Sequence, residues 1–224
     1  MIGTLVNTGT VIAGSVIGLA IGDRLPERIK TSVLNALGLV TLWIGITMVI
    51  HGTRFLAIVA SLIIGGIIGE LLAIEANLAR FAAWLKAKTG SKAAGFVDGF
   101  VTASLLFCVG PMTVVGSIQD GTVGDATLLL TKSLMDGFAS IALAAATGIG
   151  VLFSAITVLV FQGGLTLLGG SLAGLTAPAS LDQVSAVGGL IILGLGIRLL
   201  RIKDIPVANY LPALVIIAIV VAIY

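Results

Sequence analysis

The sequence predicts an all-α integral membrane protein of about eight transmembrane helices, with inverted internal repeats and a broken fourth helix. Three observations carry that expectation. The 224 residues are 58% hydrophobic and only 10% charged, with a mean hydropathy of +1.22, where a soluble domain carries about 25% charged residues. Apolar runs close to the roughly 20 residues of a bilayer crossing recur along the chain. Glycine supplies 30 residues, and small residues let helix backbones approach in lipid. A soluble globular domain is excluded, and no length remains for a separate soluble catalytic unit. The formal net charge of +2 says little by itself. Residues 1–224 read as one polytopic domain, with repeat-like parts 1–74 and 151–224 flanking a central helix pair, 96–150.

The spans run in order along the chain. Ile2 to Gly22 has no preceding basic segment or cleavage site of a signal peptide and is expected to remain as a helix. Thr31 to Ile50 and Phe55 to Ile74 are the second and third spans. From Glu75 to Lys92 the pattern changes: Leu78, Phe81 and Leu85 recur at helical spacing with Trp84 beside them, while Asn77, Arg80 and Lys88 fall elsewhere. This is an amphipathic helix on the headgroups or a solvated connecting helix. The fourth span, Phe96 to Val115, contains Gly110-Pro111; proline removes an amide hydrogen and clashes with the preceding turn, so the helix should break there. After the polar stretch Gly116 to Asp125 comes Ala126 to Thr147. The block that continues to Leu175 is split at Gly148-Ile149-Gly150, because one helix of that length would overshoot a bilayer. Val151 to Leu175, Val184 to Arg198 and Val207 to Tyr224 complete the set.

Basic residues orient these spans. Arg24, Arg28 and Lys30 lie in the first connection, Arg80, Lys86, Lys88 and Lys92 in the third, and Arg198, Arg201 and Lys203 in the seventh. The even-numbered connections hold only Arg54, and Lys132 falls inside a span. The bias puts the odd connections in the cytoplasm and both termini on the non-cytoplasmic side.

Two self-similarities cross the chain. Gly14 to Leu19 matches Gly170 to Leu175, with Asn7-Thr8-Gly9 falling on Gln162-Gly163-Gly164 after a one-residue slip, and Ala36-Leu37-Gly38 resembles Ala186-Val187-Gly188. Asp98-Gly99-Phe100 matches Asp136-Gly137-Phe138, and Gly110 then falls on Gly148. Each match links helices an odd number apart, so the copies would be inverted, as in secondary transporters whose site lies between the halves.

Chemistry concentrates in a few polar positions. Lys132 and Asp136 share one helix face, four residues apart, with Asp136 near mid-bilayer. An ionisable group there is expensive and marks a functional site; the alternative is a self-neutralising pair that holds the bundle. Asp98, the repeat partner of Asp136, and Glu70 either serve a path or snorkel to the interface. Breakage at Gly110 and Pro111 would free carbonyls and amides of the kind that hold ions and substrates. Gln119, Asp120 and Asp125 would line the outer entrance, or form an ordinary polar loop. Asn7 and Gln162 either coordinate solute or hydrogen-bond across helices. The stripes Thr10, Gly14, Gly18, Gly22 and Ser61, Gly65, Gly69 are packing faces. Cys108 and His51, each the sole residue of its type, support neither a Cys/His metal site nor a nucleophilic dyad, and no metal is identified.

Gly3-Thr4-Leu5-Val6-Asn7, the block Gly110 to Asp125 with its core Gly116 to Gly121, Lys132-Ser133 followed by Asp136, then Gly150-Val151 and Gln162, together resemble the uncharacterised bacterial inner-membrane proteins of the YdfK/YqgA type over the full length. The resemblance implies a polytopic inner-membrane location and marks the same polar positions; it carries no activity. The expectation is therefore a secondary transporter or permease for a small solute, leaning to a cation or to proton coupling through Asp136. An ion channel and a non-transporting structural or regulatory subunit are the rivals. No enzyme activity, cofactor or nucleic-acid partner is expected. The partners are the lipid bilayer, a small solute or ion, and, if the glycine faces pair between copies, a homodimer.

Overall fold

A computed structural model describes residues 1–172 and 178–223. The described residues form helices α1 (Ile2–Gly22), α2 (Glu27–Val49), α3 (Phe55–Leu71), α4 (Ile74–Lys88), α5 (Phe96–Cys108), α6 (Pro111–Thr122), α7 (Thr127–Thr147), α8 (Gly150–Leu167), α9 (Gly169–Leu172), α10 (Pro178–Leu199) and α11 (Pro212–Ile223), with a 3-10 turn at Val207–Tyr210 before the last. Five of them are long and apolar enough to cross a membrane: α1, α2, α7, α8 and α10. The count reaches seven if the bent pairs α3–α4 and α5–α6 each make one span, and α11 is a shorter apolar helix. The expected span ending at Leu175, the repeat segment ending there and the terminal Tyr224 run beyond the described residues.

Local chemistry accounts for the breaks. Gly148 stands at φ +91° between α7 and α8, a conformation that side chains resist and glycine accepts. Ala73 takes a left-handed conformation between α3 and α4, and the Asn209 side chain accepts the Glu75 amide hydrogen at 2.7 Å, satisfying a first-turn amide that α4 leaves open. The pair α5–α6 bends by 61° at an extended Gly110, with Pro111 opening α6 where a missing amide costs nothing. Because α6 restarts so readily, Gly116 to Thr122 is helical and not a polar connection. The loop shrinks to residues 123–126.

Packing follows the small residues. A methyl group at Gly14 would lie 2.4 Å from the Gly137 carbonyl oxygen, at Gly18 2.3 Å from that of Ile141, and at Gly22 2.6 Å from that of Ala145. The register advances in one direction, so α1 and α7 are parallel and nearly touch through backbone. The same reading makes α5 parallel to α8, with Gly99 beside Val151 and Ser104 bonded to Thr157. It makes α2 antiparallel to α10 (Gly38 on Leu200, Gly52 on Ala186) and α3 antiparallel to α11 and the turn before it (Gly65 on Ala213, Gly69 on Asn209). Both glycine stripes thus meet helices of their own chain. Helix α5 is buried almost all round, through Phe96, Phe100, Val101, Leu105 and Phe107, and forms the axis of the core. Outward faces remain apolar, as on Leu5, Val16, Trp43, Leu56 and Phe138, which suits lipid.

One end of the bundle gathers the basic connections. There a cleft of about 700 Å³ opens between the ends of α1, α7 and α10 and the starts of α2 and α5. Helix α4 is fastened at this end: Glu75 accepts from the Ala208 amide and pairs with Arg198, which also holds Asp204.

Candidate functional site

The parallel contact of α1 and α7 brings Asn7 against Asp136, and the antiparallel crossing of α1 and α8 brings Asn7 against Gln162. The Asn7 amide nitrogen Nδ2 donates to Asp136 Oδ2 at 2.9 Å and to Gln162 Oε1 at 2.9 Å. Lys132 donates its ammonium to the same Asp136 Oδ2 as a buried ion pair. All four side chains are withdrawn from solvent: Asn7 is 0%, Gln162 1%, and Lys132 and Asp136 7% exposed. Asp136 is the tenth of the 21 residues of α7, which puts the cluster at the middle of that helix.

The cluster sits beside the break between α5 and α6. Helix α6 packs on α7 where Gly116 meets Leu129, one turn before Lys132. Pro111 cannot donate to the Phe107 carbonyl, and the Thr113 hydroxyl does so instead at 3.1 Å. The interruption thus has its polar backbone partly re-bonded inside the protein, as an interior break must be.

Satisfaction of the cluster is incomplete. Asn7 Oδ1 and Gln162 Nε2 are buried without a partner, one an acceptor and one a donor. Among the described residues Lys132 has a single acceptor, Asp136, for three ammonium hydrogens. Native interiors rarely leave polar atoms so, and an unfilled position calls for water, an ion or a working role.

The other predicted residues divide between the two ends. Asp98 is exposed and lines the cleft at the basic end with Thr102 one turn on, so it does not meet Asp136. That cleft stops at Leu19 and Ala144; buried Val11, Leu105 and Leu143 lie in the core beyond it. Glu70 accepts from Asn209 at 2.6 Å at the same end. At the opposite end Asp120 is 6% exposed and accepts the Gly3 amide hydrogen at 3.1 Å, with the Met1 ammonium 2.9 Å away. It fastens the start of α1 and is not an open-mouth residue. Gln119 is half-buried, and Asp125 is exposed, with its Oδ1 accepting the Thr127 amide at 3.0 Å. Thr127 holds the Asp125 carboxyl below its ordinary value.

Two partners of the site escaped the sequence reading. Thr4 and Thr166 share a hydroxyl bond of 3.1 Å between α1 and α8, one turn from Asn7 and Gln162 on each helix; the spacing Thr4–Asn7 and Gln162–Thr166 was the available signal. The clamp of Gln183, whose Oε1 accepts from the amides of Thr53 and Arg54, had no such signal. Among the described residues no group of three His, Cys, Asp or Glu side chains converges to hold a metal ion.

Comparison with known proteins agrees along the whole chain. A family model described as "Protein of unknown function (DUF554)" matches residues 2–222. The chain is 33% identical over 221 residues to the "Uncharacterized protein YqgA" of Escherichia coli (strain K12), covering 96% of this chain and 94% of that protein. It is 30% identical over 220 residues to the "Uncharacterized membrane protein YdfK" of Bacillus subtilis (strain 168), covering 96% and 93%. No solved structure matches.

Proposed function

The chain belongs to the DUF554 family of proteins of unknown function, and on that premise we propose that it is a secondary transporter or permease that carries a small solute across a bacterial inner membrane, with Asp136 on the path. The observation that carries this reading is the buried, incompletely satisfied cluster of Asn7, Lys132, Asp136 and Gln162 at the middle of α7. Ionisable groups at that depth are costly and serve ion and solute pathways. A cleft that enters from one end and stops short of the cluster is the form expected of a site reached from one side at a time.

Eight crossings with inverted repeats are part of the proposal. Support comes from helix direction: α1 with α7 and α5 with α8 are parallel, while α2 with α10 and α3 with α11 are antiparallel. Strict alternation of eight spans, with α5–α6 as one crossing and α4 lying at the surface, requires those directions. Under the repeat, α1 corresponds to α8 and α7 to α5–α6. The contact of α1 with α7 then has its counterpart in that of α8 with α5, and Asn7 meets its own counterpart, Gln162. Basic connections at one end give a cytoplasmic face there and both termini on the other side.

A non-transporting membrane subunit is the second reading, favoured by one observation, the mutual neutralisation of Lys132 and Asp136. Flux in proteoliposomes separates the two. Purified protein with an imposed pH or sodium gradient is tested against a panel of small ions and metabolites, in wild type and Asp136→Asn. Gradient-dependent flux abolished by the substitution supports transport; no flux, with a variant that only unfolds more readily, supports the subunit.

A further inference from the structure

We propose that Asn7, Asp136 and Gln162 form a binding site for a small monovalent cation, sodium, potassium or ammonium in class, and that the Lys132 ammonium is a tethered stand-in which the cation displaces. This deepens the transport reading and rests on it only for the movement of the ion once bound.

The geometry starts from the Asn7 amide. Its Nδ2 bridges two oxygens, Asp136 Oδ2 and Gln162 Oε1, each at 2.9 Å, while Oδ1 of the same amide is buried with no partner. Rotating the amide by half a turn exchanges nitrogen and oxygen, which are nearly isosteric. Three oxygens then converge, one carboxylate and two amide carbonyls, in place of a bridging donor. Oxygen-only ligands suit hard cations. A single formal negative charge, that of Asp136, matches a monovalent ion, and among the described residues no group of three acidic, histidine or cysteine side chains converges to favour a divalent one.

Lys132 completes the exchange. It is the sixth residue of α7, five residues from the start of the helix, about 7.5 Å along the axis. Helical side chains tilt toward the N-terminus, so the preferred course of the lysine stem runs outward, away from Asp136, and a lysine near a helix end snorkels to the interface. It bends back because Asp136 needs a counter-charge. A cation arriving at Asp136 removes that need, and the ammonium swings toward the headgroups with its charge retained. One positive charge enters the cluster as another leaves it, so the buried site stays neutral.

The test is thermal unfolding of the purified full chain in detergent, titrated with sodium, potassium, lithium or ammonium chloride against choline chloride at constant ionic strength. Wild type should be stabilised weakly by at least one small cation and not by choline. Removal of the tethered competitor in Lys132→Gln should lower the half-maximal concentration by about tenfold or more, since binding no longer waits on a minor open state. Asp136→Asn should be unresponsive, and Gln162→Leu, which keeps the ion pair intact, should bind more weakly than wild type. A monodisperse Lys132→Gln protein that responds to none of the four cations overturns the proposal, as does an equal response in Asp136→Asn. Cation-dependent stabilisation without flux would leave this site standing and sink transport; flux in wild type with no cation response in any variant would do the reverse.

Discussion

Substituting Gly18 by alanine tests the parallel contact that builds the cluster. The added methyl would sit 2.3 Å from the Ile141 carbonyl oxygen and 2.9 Å from the Ala144 methyl. Backbone cannot rotate aside as a side chain does, so α1 and α7 must part by about 0.7 Å merely to restore a 3.0 Å contact. Overpacking costs about 1–3 kcal/mol, and a rigid backbone partner belongs in the upper half of that range. Alanine regains about 1 kcal/mol of helix propensity over glycine. The net loss is about 1–2 kcal/mol, a fall of about 2–8 °C in Tm for a chain of this size. Gly9→Ala is the internal control, because nothing lies within 4 Å of its added methyl; it should leave Tm unchanged or raise it by a few degrees, about 2–4 °C. Thermal unfolding of both variants in one detergent makes the comparison. A Gly18→Ala protein as stable as Gly9→Ala would refute the close parallel contact, and with it the route by which Asn7 reaches Asp136.

Two further outcomes are expected from the same packing and its connections. Cysteines introduced singly at Ser91 and Val123 in a Cys108→Ala background should react with a membrane-impermeant maleimide from opposite sides, Val123 from outside in intact cells; same-sided labelling would undo the proposed alternation. Asp125 should titrate below its ordinary 3.8, so its contribution to holding the start of α7 is present above that pH and lost as pH falls through the lowered value. Thr127→Ala, which keeps the amide bond and removes the hydroxyl, should move the titration, followed by carboxyl carbon NMR, toward the ordinary value; an unmoved titration would show that the Thr127 hydroxyl does not contribute to it.

Residues along the chain differ in how far local reading reaches. The limits of α1, the start of α3, the break at Gly110-Pro111 and the turn at Gly148 were legible, because apolar run length, a missing amide hydrogen and a positive φ act within a few residues; the end of α3 fell at Leu71, three residues before the Ile74 expected, ahead of the left-handed Ala73. Lys132 and Asp136 were legible as a pair for the same reason, being one helical turn apart. The sequence also matched Asn7 to Gln162, yet whether those amides met each other or a solute depended on a crossing 155 residues apart. Asp120 read as an entrance residue because acidity after a helix break suggests exposure; the start of α1 folded over it instead. Gly116 to Thr122 read as loop because polar composition concealed a helix whose polar face is buried.

Composition and periodicity by themselves determined that the chain is helical, that its surface faces lipid, and that helices break at Gly110-Pro111 and at Gly148. Each of those rests on short-range terms, the solvation of a side chain and the geometry of a few peptide units. Tertiary structure alone decided which buried polar groups meet. Glycine contacts set the register of α1 on α7, the Thr4–Thr166 hydroxyl bond lies at the crossing of α1 with α8, and the 2.9 Å hydrogen bonds of Asn7 form only where both packings hold. The cluster at Asp136 is thus a consequence of backbone packing between distant segments, which no local pattern of residue types encodes.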